Sequence, residues 1–311
     1  QMMNEARIGV GMGAAAMATA AYYASLDYAK VRKQGRKIEE KNPAHPPVPI
    51  IEHADVKRML LFQRSVVEGA LSLLLQCSQY VDLKKVGSDG EKKKYTLLLD
   101  LLTPVAKSYP SEAGILSISQ GLQCFGGSGY CDDYPLEQYY RDARIHPIHE
   151  GTTGIHGMDL LGRKIPMKNG KAFNLYLEEV EAAIREAKGM PALEPYGRQL
   201  SGFLEKLKQV TAHLAGVQKE RGIEQALADA TLYLELFGII AVAWQWLIQT
   251  VVIVKALNGE PSKTEKDFYQ GKFYTFRYFF GYELPKAEGL VNRLMHTDGM
   301  TVLMKKEWFS D

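Results

Sequence analysis

The stretch ARIHPIHEGTTGIHG, residues 143–157, gathers three of the chain's seven histidines and one glutamate around a Gly-Thr-Thr turn. Three chemistries fit such a cluster. The first is a metal site. Zinc ligands on a helix stand four apart, as in HExxH, with a third ligand elsewhere. Here His146 and His149 are three apart, Pro147 lies between them, and glycines at 151, 154 and 157 loosen the next turns of chain. His156 could approach from the next helical turn, but no spacing fixes it. A di-iron bundle needs Glu-x-x-His on facing helices, and HPIHE has the reverse order. The second is general-base chemistry by Glu150. Gly151 leaves room for a ligand close to the backbone, and Thr152 and Thr153 can cap a helix beginning near 153. Free N–H groups at a helix start favour negative charge. A base that deprotonates a carbon acid needs that setting: a carboxylate in an apolar pocket beside donors for the developing enolate oxygen. The third is a plain helix-capping loop, which pattern alone favours.

The elements that must position these residues are helical nearly throughout. Residues 4–33 lack proline and are rich in Ala, Gly and Met, as expected of a central bundle helix whose neighbours approach closely. KNPAHPPVP, 41–49, holds four prolines and forces an extended connection. Asp55 is the expected cap of a long helix carrying Val56, Met59, Leu60, Val67, Ala70, Leu71 and Leu74 at helical spacing. A helix over 91–108 is expected to kink at Pro104, and another to restart with Ser111 as its cap. Three glycines in QCFGGSGYCDDYP end it, and a last helix runs from about 153 to 164. IPMKNGK reads as a boundary. Beyond it, helices are expected over 172–188, 196–220, 223–257, 263–281 and 285–296. No period-2 strand and no internal repeat is visible. The expected fold is all-α: one helical domain over 1–168 and a second over 169–311.

Bulk properties narrow the function classes. Thirty-eight basic and 36 acidic residues give a net charge of +2, so there is no global electrostatic case for nucleic acid. The basic run KVRKQGRK, 30–37, reads by itself as a solvated helix end. Cys77, Cys124 and Cys131 have no CxxC spacing, which fits a reducing, cytoplasmic setting and excludes a four-cysteine zinc site. Residues 1–8 do not resemble a signal peptide. LFGIIAVAWQWLIQTVVIV, 236–254, is long enough to span a membrane. Gln245 and Gln249, one turn apart near its middle, make a buried core helix the better reading.

One longer stretch, QCFGGSGYCDDYPLEQYYRDARIHPIHEGTTGIHGMDLLGRKI, closely resembles the acyl-CoA dehydrogenases. It holds Q-x-x-G-G-x-G-Y, Y-P-x-E, R-D-A-x-I and E-G-T in that family's order and spacing. NEARIGVG, YAKVRKQGRKI and HADVKRML resemble the family's first two C-terminal helices. The match covers residues 1 to about 166, the family's C-terminal four-helix bundle. The RKQGR and LTPVAK variants, with a helical tail, are most similar to bacterial members carrying an extra C-terminal domain, such as those of methylthiopropionate metabolism. The family's N-terminal helical and β-domains have no counterpart here, so a piece of a longer protein is expected, and alone it should be colourless and inactive.

The resemblance implies roles. Glu150 matches the base that removes the α-proton of an acyl-CoA while hydride leaves the β-carbon for FAD. Its backbone N–H, with a ribityl hydroxyl, would polarise the thioester carbonyl. Arg32 matches an arginine at the FAD pyrophosphate of a neighbouring subunit, and Gln34 lies in the same segment. Gln123, Gly126 and Gly127 match the loop against that dinucleotide. Thr152 matches a threonine near the FAD of its own subunit. Arg7 falls near the CoA cleft, and His149 and Gly151 flank the base at the substrate. The implied partners are an acyl-CoA, an electron-transfer flavoprotein and further copies of the chain in a dimer or tetramer, working in fatty acid metabolism. No metal is implied. His149 stands where the family commonly has tyrosine; protonated, it would stabilise the carboxylate and weaken proton abstraction. His156 replaces a common glutamine, Gly154 a polar residue, and Gly35 a phenylalanine. The competing readings are an assembly module centred on residues 171–311 and a histidine-based metal hydrolase.

Overall fold

The computed structural model describes residues 2–39, 41, 42 and 44–310. Three long helices set the frame: α1 Met2–Val31, α2 Ala54–Val86 and α3 Asp89–Phe125. Short helices α4 Leu136–Ala143 and α5 Thr153–Asp159 come next, the latter continuing as a π-turn over Leu160–Lys164. The rest is α6 Met167–Lys188, α7 Glu194–Arg221, α8 Ile223–Leu227, α9 Ala230–Leu257, α10 Lys263–Tyr278, α11 Ala287–Met295 and α12 Met300–Leu303. No strand occurs among the described residues, only an isolated antiparallel bridge between Lys33 and Pro49.

α1 and α3 run parallel. Asn4 donates to Asp100 at 2.6 Å near one end, and the Tyr28 and Phe125 rings stack 4.1 Å apart near the other. Between these points Gly11 lies against the Ala106 carbonyl, so close that a Cβ would sit 2.1 Å from its oxygen. The reason is local. Pro110 has no N–H to return to Ala106, which frees that carbonyl to face α1. α2 runs the other way, with Gln63 at Cys124 and Tyr80 stacked on Tyr95.

Two local expectations fail here. α3 passes through Pro104 and Pro110 without a break. Ser111 is therefore not a cap; its hydroxyl donates to Lys107 O at 2.6 Å inside the helix. The true cap is Ser88, whose side chain and Glu91 form a reciprocal capping box. Dense packing on both sides of α3 holds the prolines within it. Asp55 likewise sits in the first turn of α2, bound to Arg58 at 2.7 Å, while His53 occupies the cap position. Of the proline-rich connection, Pro43 lies outside the described residues; Val48 and Ile50 bond back to Gly35 O and Arg32 O.

α9 carries the apolar run, and 83% of its most apolar window is buried inside the protein. Its polar residues are placed by partners. Gln245 accepts from Ser72 at 2.8 Å, and Trp246 Nε1 donates to Ser65 O at 3.0 Å. Gly69 of α2 admits Val242 and Trp246, while Tyr176 of α6 stacks on Phe237 and meets Trp244 edge-on. One core therefore runs from Leu73, Leu102 and Ala106 through α9 to Leu204 and Leu294. The expected 223–257 helix is broken at Ala228 and Asp229, and the boundary turn is built by Lys168, Asn169 and Gly170 in left-handed conformation.

Candidate active site

Between α4 and α5 the chain makes a tight turn whose crest is Glu150-Gly151. Both residues are left-handed, with φ of +55° and +96°. For a glutamate this conformation costs about 1–2 kcal/mol, so its surroundings must hold it. Two buried side chains do so. His156, on the first turns of α5, donates Nε2–H to the Glu150 carbonyl at 3.1 Å. Lys107, fully buried on α3, donates from Nζ to the Gly151 carbonyl at 2.8 Å. The turn is closed by Thr153 N–H to Pro147 O at 3.2 Å and by the Thr153 hydroxyl on Glu112. With the carbonyls turned inward, the N–H groups of Glu150, Gly151 and Thr152 bond no acceptor among the described residues.

The electrostatics are set by burial. Desolvation, then the Arg7 and Lys107 cations, push the His156 imidazole down to about 4, so it is neutral at pH 7 and its protonated nitrogen is the one on Glu150. Desolvation also lowers Lys107 to about 8, partly opposed by Glu112 and Glu150. Arg7 holds buried Asp159 at 3.1 Å, with Arg163 on the other carboxylate oxygen at 3.2 Å. Arg7, Asp159 and Arg163 border a cleft of about 650 Å³ lined also by Asn4, Ile155, Met158, Ile223 and Leu227 among others.

The histidines do not converge as ligands. His146 and His149 donate from Nδ1 to Ala143 O and Ile145 O at 3.2 and 3.0 Å, and His156 is spent on Glu150. His146 is buried against Gly13 of α1.

The sequence places Glu150 in an apolar pocket. In the structure its side chain is exposed, and this chain's own residues do not enclose it. Ile145, Ile148, Ile155 and Met158, its apolar neighbours along the chain, are each about half exposed. Thr152 is exposed, while Gly151 and His149 are partly buried. The dinucleotide residues lie elsewhere. Arg32 bonds to Tyr28 O through its backbone N–H, and Tyr28 stacks on Phe125, which brings Arg32 and Gln34 to the end of α3 where Gln123, Gly126 and Gly127 stand. Lys107 and Gln123 share α3, so at about 1.5 Å rise per residue this group is about 24 Å along the bundle from the Glu150 turn. All five are exposed, and the side chains of Arg32, Gln34 and Gln123 have no partner among the described residues.

Sequence reasoning missed Lys107, Glu112 and Asp159, and read Thr153 only as a helix cap, whereas its hydroxyl binds Glu112. A lone lysine in the apolar run LLTPVAKSYP was the available signal.

A family model for the acyl-CoA dehydrogenase C-terminal domain matches residues 1–165, and one described as acetyl-CoA dehydrogenase C-terminal like matches 176–305. The chain belongs to the acyl-CoA dehydrogenase family. It is 32% identical to 3-methylmercaptopropionyl-CoA dehydrogenase of Ruegeria pomeroyi, over 95% of this chain and 50% of that protein. It is 30% identical to a broad-specificity linear acyl-CoA dehydrogenase of Mycobacterium tuberculosis, over 92% of this chain and 48% of that one. The chain thus spans about half the length of these relatives. The fold is shared with Caenorhabditis elegans ACDH-11 in complex with C11-CoA, at a TM-score of 0.74 and 20% identity, over 91% of this chain and 43% of that one. It is also shared with an acyl-CoA dehydrogenase from Bacillus anthracis complexed with FAD, at 0.70 and 17%, over 97% and 50%.

Proposed function

We propose that this chain supplies the base and part of the cofactor contacts of an FAD-dependent acyl-CoA dehydrogenase, which converts an acyl-CoA to its 2,3-enoyl-CoA. The observation that carries this is the left-handed Glu150-Gly151 turn, with its carbonyls bound from behind and its N–H groups left open beside a carboxylate.

The residues divide the work. Glu150 takes the α-proton onto a carboxylate oxygen, and the C–H electron pair left behind forms the new double bond as hydride leaves the β-carbon. The Glu150 N–H is open to the thioester oxygen, where negative charge develops during proton removal. Ile148, Ile155 and Met158 offer apolar surface for the acyl chain, and the cleft beside Arg7 sets Arg7, Arg163 and Lys164 against Asp100 and Asp159, a net positive charge towards CoA phosphates. FAD, when bound, supplies the hydride acceptor. Arg32, Gln34 and Gln123 suit its phosphates and polar edges, because their donors are exposed and uncommitted, and Gly126 and Gly127 let a ligand reach the backbone. Thr152 stands beside the base instead. A distance of about 24 Å along the bundle between the two groups accords with their serving the cofactors of different subunits, which makes a homo-oligomer part of the proposal. The two electrons leave to an electron-transfer flavoprotein in the cytoplasm.

The test is anaerobic mixing of the full-length, flavin-loaded protein with acyl-CoA. The wild type bleaches the flavin. Glu150→Gln keeps the flavin spectrum and bleaches at least about 1,000-fold more slowly, as expected when a base and its charge are lost together. Bleaching at the wild-type rate would exclude Glu150 as the base.

A further inference from the structure

We propose that His156 and Lys107 are positioning residues that clamp the carbonyls of Glu150 and Gly151, and thereby hold the turn that aims the Glu150 carboxylate at the substrate. The inference rests on the reading of Glu150 as the base.

Three observations converge on it. Glu150 is one of three non-glycine residues with positive φ among the described residues, and the other two form the boundary turn at 168 and 169. Left alone, a glutamate leaves that region. The two successive carbonyls of the turn are each taken by a different buried donor, from two different helices, at 3.1 and 2.8 Å. A hydrogen bond to its oxygen opposes rotation of a peptide group, so the clamp on Glu150 O restrains the peptide plane just after the base. The clamp on Gly151 O restrains the next one. Finally, the approach depends on the glycine: a Cβ on Gly151 would lie 3.0 Å from His156 Nε2. A side chain at 151 would push the ring back from Glu150 O by a few tenths of an ångström.

The donors suit the task. His156 is buried with Nδ1 bare, so a neutral ring has one tautomer that works, with hydrogen on Nε2. Lys107 is enclosed on all sides and makes one hydrogen bond, to Gly151 O. Neither side chain faces the solvent or lines the cleft beside Arg7, so neither is a catalytic residue in the sense of touching the reacting atoms. Both act through the turn.

The test uses the full-length, flavin-loaded protein. In His156→Leu and Lys107→Met the rate of flavin reduction at saturating acyl-CoA should fall about 10- to 100-fold, as a misplaced base does. The acyl-CoA Kd should change less than about 3-fold, because ligand contacts are intact. His156→Gln, which restores an N–H donor, should recover most of the lost rate. Wild-type reduction in both donor-less variants would overturn the proposal. So would equal losses in His156→Gln and His156→Leu, which would mean that ring packing matters and donation does not. A variant-free readout covers the case in which His156→Leu fails to fold. The long-range 1H–15N spectrum should show His156 as the Nε2–H tautomer, and a dominant Nδ1–H form would also overturn the proposal. These results are separable from failure of the base assignment, which shows as bleaching that survives Glu150→Gln.

Discussion

At the scale of single residues, the turn that holds Glu150 is stabilised by groups whose charge states are set by burial. His156 sits well below the ordinary imidazole value, at about 4, chiefly by desolvation. The unfolded chain then binds more protons than the fold between about pH 4 and 6.5, so stability rises with pH across that window and is lost on acidification. The expected contribution is on the order of 3 kcal/mol. Urea unfolding at pH 7 and pH 4 should show His156→Gln losing about that much less than the wild type; equal losses would mean that His156 is charged in the fold or does not matter. Lys107 and His156 also show what the sequence conceals. The Glu-Gly-Thr turn, the paired glycines and Arg32 stood out only through the family resemblance; by type and spacing alone they read as a capping loop, a helix end and a solvated basic run. The burial of Lys107 was not legible, because it depends on α1 and α5 being folded against α3, and nothing local marks LLTPVAKSYP as closed on every side. His156 was visible as a histidine, but its role depends on a carbonyl six residues away turning towards it.

At the scale of elements, the position of α5 decides where the turn sits. Gly157 packs on the start of α9, where a Cβ would be 2.6 Å from Ala230 O and 2.7 Å from its carbon. Both are backbone atoms and cannot swing aside. Gly157→Ala should therefore cost about 1–3 kcal/mol of stability, and should slow flavin reduction as α5 and His156 shift together. Calorimetry and stopped-flow absorbance check the two effects, and an alanine variant of unchanged stability would contradict the packing. Helices were the readable part of the chain, since Ala- and Leu-rich runs at helical spacing left few alternatives. Their ends were not. Pro104 and Pro110 signal breaks, yet packing on both faces carries α3 through them, and Pro110 leaves Ala106 O for Gly11 to approach. The eight-residue α4 has no counterpart among the expected helices.

At the scale of the whole molecule, the two sequence segments share one core. α9 lies beyond the boundary turn but packs on α2, α3, α5 and α6, with Trp246 fully buried and bonded to Ser65 O. We therefore expect one thermal transition. Trp246→Ala should lower stability by about 3–5 kcal/mol, and two separated transitions, with only the second responding, would show independent domains. The amides of α9 were the sequence clue that this run is core, and Ser72 on Gln245 supplies the reason.

The proposed chemistry stands on Glu150 removing a proton from the carbon next to the thioester. The most direct measurement is exchange of that proton in D2O, monitored by NMR, with an acyl-CoA whose β-carbon bears no hydrogen, so that hydride cannot leave. The flavin-loaded wild type should wash deuterium into the α-position, and Glu150→Gln should not do so above the rate without enzyme. Undiminished exchange in Glu150→Gln would contradict the assignment of the base.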